Sequence, residues 1–284
     1  MTPRQLALVA VGCLTITGGC SESLRIAATP ADDAGFTATA VQYRDQVVSN
    51  QVSITVTNGG PADRHLRSLQ LAWPALEPMP PDPLDYTVFR GVRVDLPVEV
   101  GEAVCSDPPG FDEAPPPGPI LATATTDDGP ITFAIDDTGG VLADIHRRSC
   151  ARQAVEHAVT FELGPITDAG SDPPTAGAEL VVTRGASTEP IELGDLGGSV
   201  VVDVAYGNDE HSLAADQLQV RLPLVFTNAR CDPHARSETK QPFVFPLHLR
   251  MGDRDVAYTL QPDQVGKDAL TALILDRCPD LTGI

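Results

Sequence analysis

Val92-Arg93-Val94-Asp95-Leu96-Pro97-Val98 and Leu218-Gln219-Val220-Arg221-Leu222-Pro223-Leu224 carry one pattern twice, 126 residues apart. Apolar side chains alternate with polar ones in both. A period of two puts the apolar set on one face of a strand. The flanks repeat as well: Cys105 precedes Ser106-Asp107-Pro108 and Cys231 precedes Asp232-Pro233, again 126 residues apart. Downstream, Val141-Leu142-Ala143-Asp144-Ile145 leads to Cys150, and Ala269-Leu270-Thr271-Ala272-Leu273-Ile274-Leu275 leads to Cys278. The chain therefore reads as two units, residues 29–154 and 155–284, with formal charges of −10 and −11.

Alternation of the same kind recurs through both units. Val52, Ile54 and Val56 share a face, as do Val159, Phe161 and Leu163, and Phe243, Phe245, Leu247, Leu249 and Met251. Further strands are expected at 94–100, 131–135, 180–183, 200–205, 218–226 and 256–260, between turns rich in Gly, Pro, Asn and Asp. Helical spacing stands out only at 268–276, where Leu270, Leu273 and Ile274 form a stripe. The expected fold is all-β: tandem immunoglobulin-like antiparallel β-sandwich units with a short helix near the end of each. Pro97, Pro223 and Pro246 inside strands point to edges or bulges, because proline has no N–H to give a ladder. The proline-rich stretch at 106–119 is expected to be stiff and solvated.

The 284 residues include 39 acidic and 19 basic ones, a net charge of −20. That sign is wrong for neutralising phosphates, so nucleic acid is not an expected partner. No apolar run reaches the roughly 18 residues of a membrane-spanning helix.

At the N-terminus, Arg4 precedes an apolar stretch at 6–16, followed by Thr17-Gly18-Gly19-Cys20. This resembles the signal of bacterial exported lipoproteins, which is cut before a cysteine that carries diacylglycerol. Gly19 and Cys20 match the lipobox and Thr17 departs from it. Arginine outnumbers lysine 17 to 2 and aspartate outnumbers glutamate 27 to 12, similar to actinobacterial usage. The resemblance implies a signal peptide at 1–19, a tether at 20–28, lipid (palmitate) on Cys20 and a place on the extracytoplasmic face of the cell membrane. Two or three acyl chains hold a protein there durably, where one would not.

With Cys13 in the discarded peptide and Cys20 acylated, four cysteines remain, and in an exported protein an even number implies disulfides. The repeat selects Cys105 with Cys150 and Cys231 with Cys278, since that pairing gives both units the same geometry. A zinc site is the rival, and it lacks the C-x-x-C or H-x-x-x-H spacing.

Catalytic patterns are sparse. Ser237-Glu238-Thr239-Lys240 has the S-x-x-K spacing of penicillin-interacting serine enzymes, but it sits in a proline-flanked turn with no Ser-Asp-Asn or Lys-Thr-Gly after it. His65, His146, His157, His211, His234 and His248 are scattered, with His234 and His248 near enough to meet across a hairpin. Asp127-Asp128 and Asp136-Asp137 flank the strand at 131–135 and read as acidic turns, since they lack a calcium-loop pattern. Trp73, the single tryptophan, is expected in the core beside Leu69 and Leu71. The resulting expectation is a non-enzymatic interaction or scaffold module on a lipid anchor, with an envelope protein as partner and no cofactor or metal. The alternative is a ligand- or metal-binding lipoprotein with its site between the units. The candidate binding loop holds Arg230, His234, Arg236 and Lys240, a basic cluster on an acidic unit.

Overall fold

The structure is a computed structural model and describes residues 35–171, 173–209, 211–232 and 241–278. The first half contains β1 (Phe36–Val41), α1 (Arg44–Ser49), β2 (Gln51–Asn58), β3 (Arg64–Ala72), β4 (Asp82–Val88), β5 (Arg93–Glu99), β6 (Leu121–Thr126), β7 (Gly129–Asp136) and α2 (Val141–Ala158). The second contains β8 (Val159–Leu163), β9 (Thr167–Asp168), β10 (Ala176–Arg184), β11 (Ile191–Leu196), β12 (Val202–Tyr206), β13 (Ser212–Leu213), β14 (Gln219–Asn228), β15 (Phe245–Met251), β16 (Arg254–Leu260) and a last helix, α3 (Gln264–Arg277).

Three sheets result. The first runs β4-β3-β6-β7-β1-β2-β5; the second β12-β14-β10-β8, with β9 on β10; the third β13-β11-β15-β16. The sequence repeat is a repeat of topology. Strands β1, β2 and β5 pair in the order that β8, β10 and β14 do, and β3, β6 and β7 in the order of β11, β15 and β16. The two quoted stretches are β5 and β14. Their apolar residues are buried alike: Leu96 and Val98 in one, Leu222 and Leu224 in the other.

The halves differ in two places. The counterpart of β4 is divided, so that β13 sits beside β11 and β12 lies outside β14. In the first half β7 pairs with β1 in parallel, through Ala38↔Ile135 and Thr39↔Asp136, and this joins two groups of strands into one curved sheet. In the second half no ladder joins β16 to β8 among the described residues. The rings of Phe161 and Tyr258 stack there instead, 4.7 Å apart.

Each half has its own buried cluster. Ile54, Leu66, Leu69 and Leu142 anchor the first, and Leu180, Leu222, Phe226, Phe245 and Leu247 the second. Trp73 belongs to the first cluster with Leu69 and Leu71, as expected. One helix serves both cores: Leu142, Ile145 and Cys150 of α2 face the first cluster, while Val155 and Ala158 face the second. The division at 154/155 thus falls within a continuous helix that leads directly into β8.

Both disulfides form with the expected pairing, Cys105 to Cys150 and Cys231 to Cys278, with Cα atoms 5.7 and 5.3 Å apart. Each ties the segment after the fifth main strand of its half to the helix that ends it. Loops of 45 and 47 residues correspond to about 4 kcal/mol each on the chain-entropy account. Bridges of this kind persist in oxidising compartments. No helix among the described residues is long and apolar enough to cross a membrane.

Several expectations need correction. The helix closing the first half is not short: α2 has 18 residues. Its buried face holds Leu142, Ile145 and Val155 together with His146, Cys150, Ala154 and Ala158. Pro97 does lie on an edge strand, β5, and Pro246 lies beside the register shift between Leu193 and Leu196 of β11, but Pro223 lies on the interior strand β14. Pro223 and Pro246 are tolerated because the neighbour has already ended. The carbonyl of Pro223 accepts from Gly207 N–H, just past β12, and that of Pro246 from Gly197 N–H, just past β11. Each proline N thus faces a position where no strand asks for a donor. The stretch at 106–119 also contributes packing, since Phe111 lies against the second cluster.

Candidate interaction cleft

Helix α2 presents Arg148, Ser149, Arg152 and Glu156 on a face turned away from the first core, spaced so that neighbours three and four residues apart lie together. Asn50 ends α1 in the left-handed conformation, at φ 52°, which turns the chain sharply into β2 beside that face. Across from these elements runs β16. Between them lies a cleft of about 740 Å³ that both halves line. The loop after Cys105 closes one end with Phe111 and Asp112.

Polar contacts hold the walls. Arg254 of β16 reaches Asp112 at 2.7 Å, and its guanidinium lies over the Phe111 ring, 5.8 Å from the centroid. Arg152 bonds Glu156 at 2.8 Å and also Glu102. Burial disfavours the Arg152 charge, but the hydrogen bond and charge of Glu156, with Glu102, outweigh it and hold the guanidinium above its usual range. Burial, followed by the negative charge of Glu156, raises the Tyr258 phenol, so it stays protonated well into alkaline conditions. These pairs are partly exposed, and each is worth roughly 0–1 kcal/mol. Arg148 differs: it donates to the neutral Gln42 Oε1 at 2.6 Å, and no carboxylate pairs with it among the described residues. The one serine of the wall, Ser149, donates to Glu102 and accepts from Ala103 N–H.

The residues singled out from sequence fall elsewhere. Arg230 pairs with Asp232, while His234, Ser237, Arg236 and Lys240 lie outside the described residues, as do Cys13 and Cys20. Gln241, at the end of that loop, donates to the Arg44 carbonyl of α1, so loops after the first cysteine of both bridges touch the opposite half. His248 is exposed on β15. The acidic turns are satisfied locally. Asp127 binds Arg67, Asp128 binds Arg64, Asp136 accepts from Thr138, and Asp137 accepts from the N–H groups of Leu142 and Ala143 at the start of α2.

Cys105, His146 and Cys150 bring their ligand atoms within 4.8 Å of one another. The two sulfurs are bonded to each other, and a metal needs thiolates. His146, fully buried, donates from Nε2 to the Val104 carbonyl at 3.2 Å and lies edge-on to Trp73, 6.1 Å away. This trio packs the base of the first core.

The cleft was not legible beforehand. Arg148, Arg152 and Arg254 carry no motif, and only the full length of α2 aligns the first two on one face.

No family model matches the chain, and no curated protein does. Among solved structures it is similar to the crystal structure of red sea bream transglutaminase, with 11% identity, a TM-score of 0.25, and coverage of 81% of this chain and 31% of that one. The chain spans about a third of the length of that enzyme.

Proposed function

We propose that this protein is a non-enzymatic interaction module of the extracytoplasmic face, held on the membrane by lipid on Cys20 and engaging its partner through the cleft. Each half is read as an immunoglobulin-like sandwich, with the fourth strand beside the third in the first half and divided between the two sheets in the second. The strand orders 1-2-5 and 3-6-7, present twice, support that reading. The disulfides support export, and the lipobox-like Gly19-Cys20 supports the anchor.

The observation that carries the functional reading is a cleft built by both halves in which Arg148, Arg152 and Arg254 stand among Asp112, Glu156 and Asp255, and of these arginines Arg148 alone has no carboxylate partner among the described residues. A guanidinium without a carboxylate is free to pair with one from outside. The test is Arg148→Glu, assayed by chemical crosslinking on intact cells with identification of the captured protein. Capture should fall at unchanged melting temperature, with the loss greatest at low ionic strength. Equal capture by the variant would remove the cleft from the reading.

A further inference from the structure

We propose that the turn between β4 and β5, Phe89-Arg90-Gly91-Val92, seats on the surface of the bilayer that holds the anchor and thereby faces the cleft away from the membrane. The proposal rests on the reading of Cys20 as lipidated and gives the same membrane a second contact.

The turn stands where the described chain begins. The Gly35 carbonyl accepts from Gly59 N–H at 2.7 Å. A φ of 66° at Gly35, and a Gly60 Cα only 2.9 Å from where a Cβ would stand, require glycine at this exit. Beside it, the fully buried Asn58 holds the turn in place. Its carbonyl accepts from Gly91 N–H at 2.7 Å, its N–H donates to the Val92 carbonyl at 3.3 Å, and its side-chain amide donates to the carbonyls of Ala62 and Val88. Val92 N–H closes the turn on the Phe89 carbonyl at 3.1 Å, with Gly91 at φ 71°. Turn and chain exit therefore form one corner. Residues 20–34 link the lipidated cysteine to Gly35 and can span at most about 50 Å, so this corner stays near the bilayer.

What the turn presents suits a membrane surface. Phe89 is 54% exposed, the most of any aromatic side chain among the described residues, and Val92 is 45% exposed. Between them Arg90 gives its backbone N–H to Asp63, and no carboxylate pairs with its guanidinium among the described residues. Apolar side chains of this kind enter the headgroup boundary by about 5–10 Å, while an arginine keeps its head among the phosphates. Charge permits the approach. At this end Arg64, Arg67, Arg90 and Arg93 stand against Asp63, Asp85, Asp95, Asp127 and Asp128, close to balance in a chain of −20. A single turn binds a bilayer weakly, but the anchor makes its contact intramolecular and raises the effective concentration.

The cleft lies at the other end of the first half. β1 runs from Phe36 at the corner to Val41, about 17 Å along the strand, and just beyond it Gln42, Val47 and Asn50 line the cleft. The second half meets the first there, through Gln241 on the Arg44 carbonyl and Arg254 on Asp112. With the turn on the bilayer, the first half stands between the membrane and the cleft, which then opens where a partner can reach it.

The test is hydroxyl-radical footprinting of the full acylated protein in vesicles of phosphatidylethanolamine and phosphatidylglycerol, against the Cys20→Ala protein free in solution. Oxidation of Phe89 should fall about threefold in the vesicles, while that of Leu218, 77% exposed in the second half, stays unchanged. Flotation with the vesicles reports the anchor separately. As a second measurement, brominated acyl chains should quench the indole introduced by Phe89→Trp about twofold and leave that of Leu218→Trp unquenched, with the buried Trp73 as a constant background. Both substitutions fall on exposed side chains and should keep the melting temperature. Flotation with Phe89 still oxidised freely, with no quenching at position 89, or with equal protection of Phe89 and Leu218, would overturn the seating and leave the anchor standing. Protection of Phe89 that appears in the Cys20→Ala protein as its concentration rises would also overturn it, by assigning the turn to a second copy. Absence of flotation would remove the anchor, and the proposal with it.

Discussion

Arg184 ends β10, and all five of its side-chain N–H groups are directed to backbone carbonyls: Gln217 from Nε, Ser187 and Glu189 from Nη1, Leu213 and Ala214 from Nη2, at 2.7 to 3.2 Å. These carbonyls belong to the approach to β11 and to the link between β13 and β14, so one guanidinium fastens the second sheet to the third. In Arg184→Met the bonds to Ser187 and Leu213, which are part-buried, set the cost. A bond to a charged group contributes about 1.5–3 kcal/mol, and the three more exposed carbonyls regain water, so the expected loss is about 3 kcal/mol. Arg184→Lys keeps the charge but has three donors on a point and no planar fork; it should recover less than half. Urea unfolding followed by far-UV circular dichroism, with disulfides intact, measures both variants. Trp73, in the other half, serves as an internal reference whose fluorescence transition should move less. A loss below about 1 kcal/mol for Arg184→Met, or full recovery by lysine, would refute the reasoning.

Further outcomes follow from other residues. The Tyr206 hydroxyl is buried without a hydrogen-bond partner among the described residues, so Tyr206→Phe should raise stability by about 1 kcal/mol in thermal unfolding. Burial, aided by Asp195, pushes that phenol up to about 12; a raised folded value means stability is lost as pH rises from about 10 toward 12, and the Phe variant should not share this loss. The Asp95 carboxyl is held below its usual range by the Thr55 hydroxyl and then by Tyr43. Its contribution is therefore present above about pH 4 and disappears as pH falls through the lowered folded value, so Asp95→Asn should flatten the acid limb of a stability profile. Replacing Cys231 and Cys278 together by serine should cost about 2–4 kcal/mol in denaturant unfolding. Cys20→Ala should move the protein from the membrane fraction to the soluble one, with loss of fatty-acid labelling.

What could be read in the sequence was whatever has a local period. β2, β5, β14 and β15 alternate large aliphatic residues with polar ones, and the repeat supplied the cysteine pairing. β1 and β6 escaped because their alternation is between alanine and threonine, as in Phe36-Thr37-Ala38-Thr39-Ala40, where the hydropathy amplitude is small even though the alanines are buried. Helix α2 was expected only as a short element near the end of the first half, because His146, Cys150 and two alanines interrupt the apolar face that Leu142, Ile145 and Val155 form. Pro223 misled because a strand interior to a sheet can still be locally at an edge where its neighbour stops. The cleft draws on α1, the Phe111 loop, α2 and β16, four stretches far apart in sequence, and no local pattern joins them. The basic loop drew notice by its charge alone.

Site-specific photocrosslinking on intact cells tests the central claim most directly, with a photoreactive residue at Gln261 in the cleft and, as a control, at Leu218, which is 77% exposed away from it. The account predicts that position 261 captures one discrete protein and that position 218 captures none. Equal capture from both positions, or labelling only of lipid or small molecules from position 261, would contradict it.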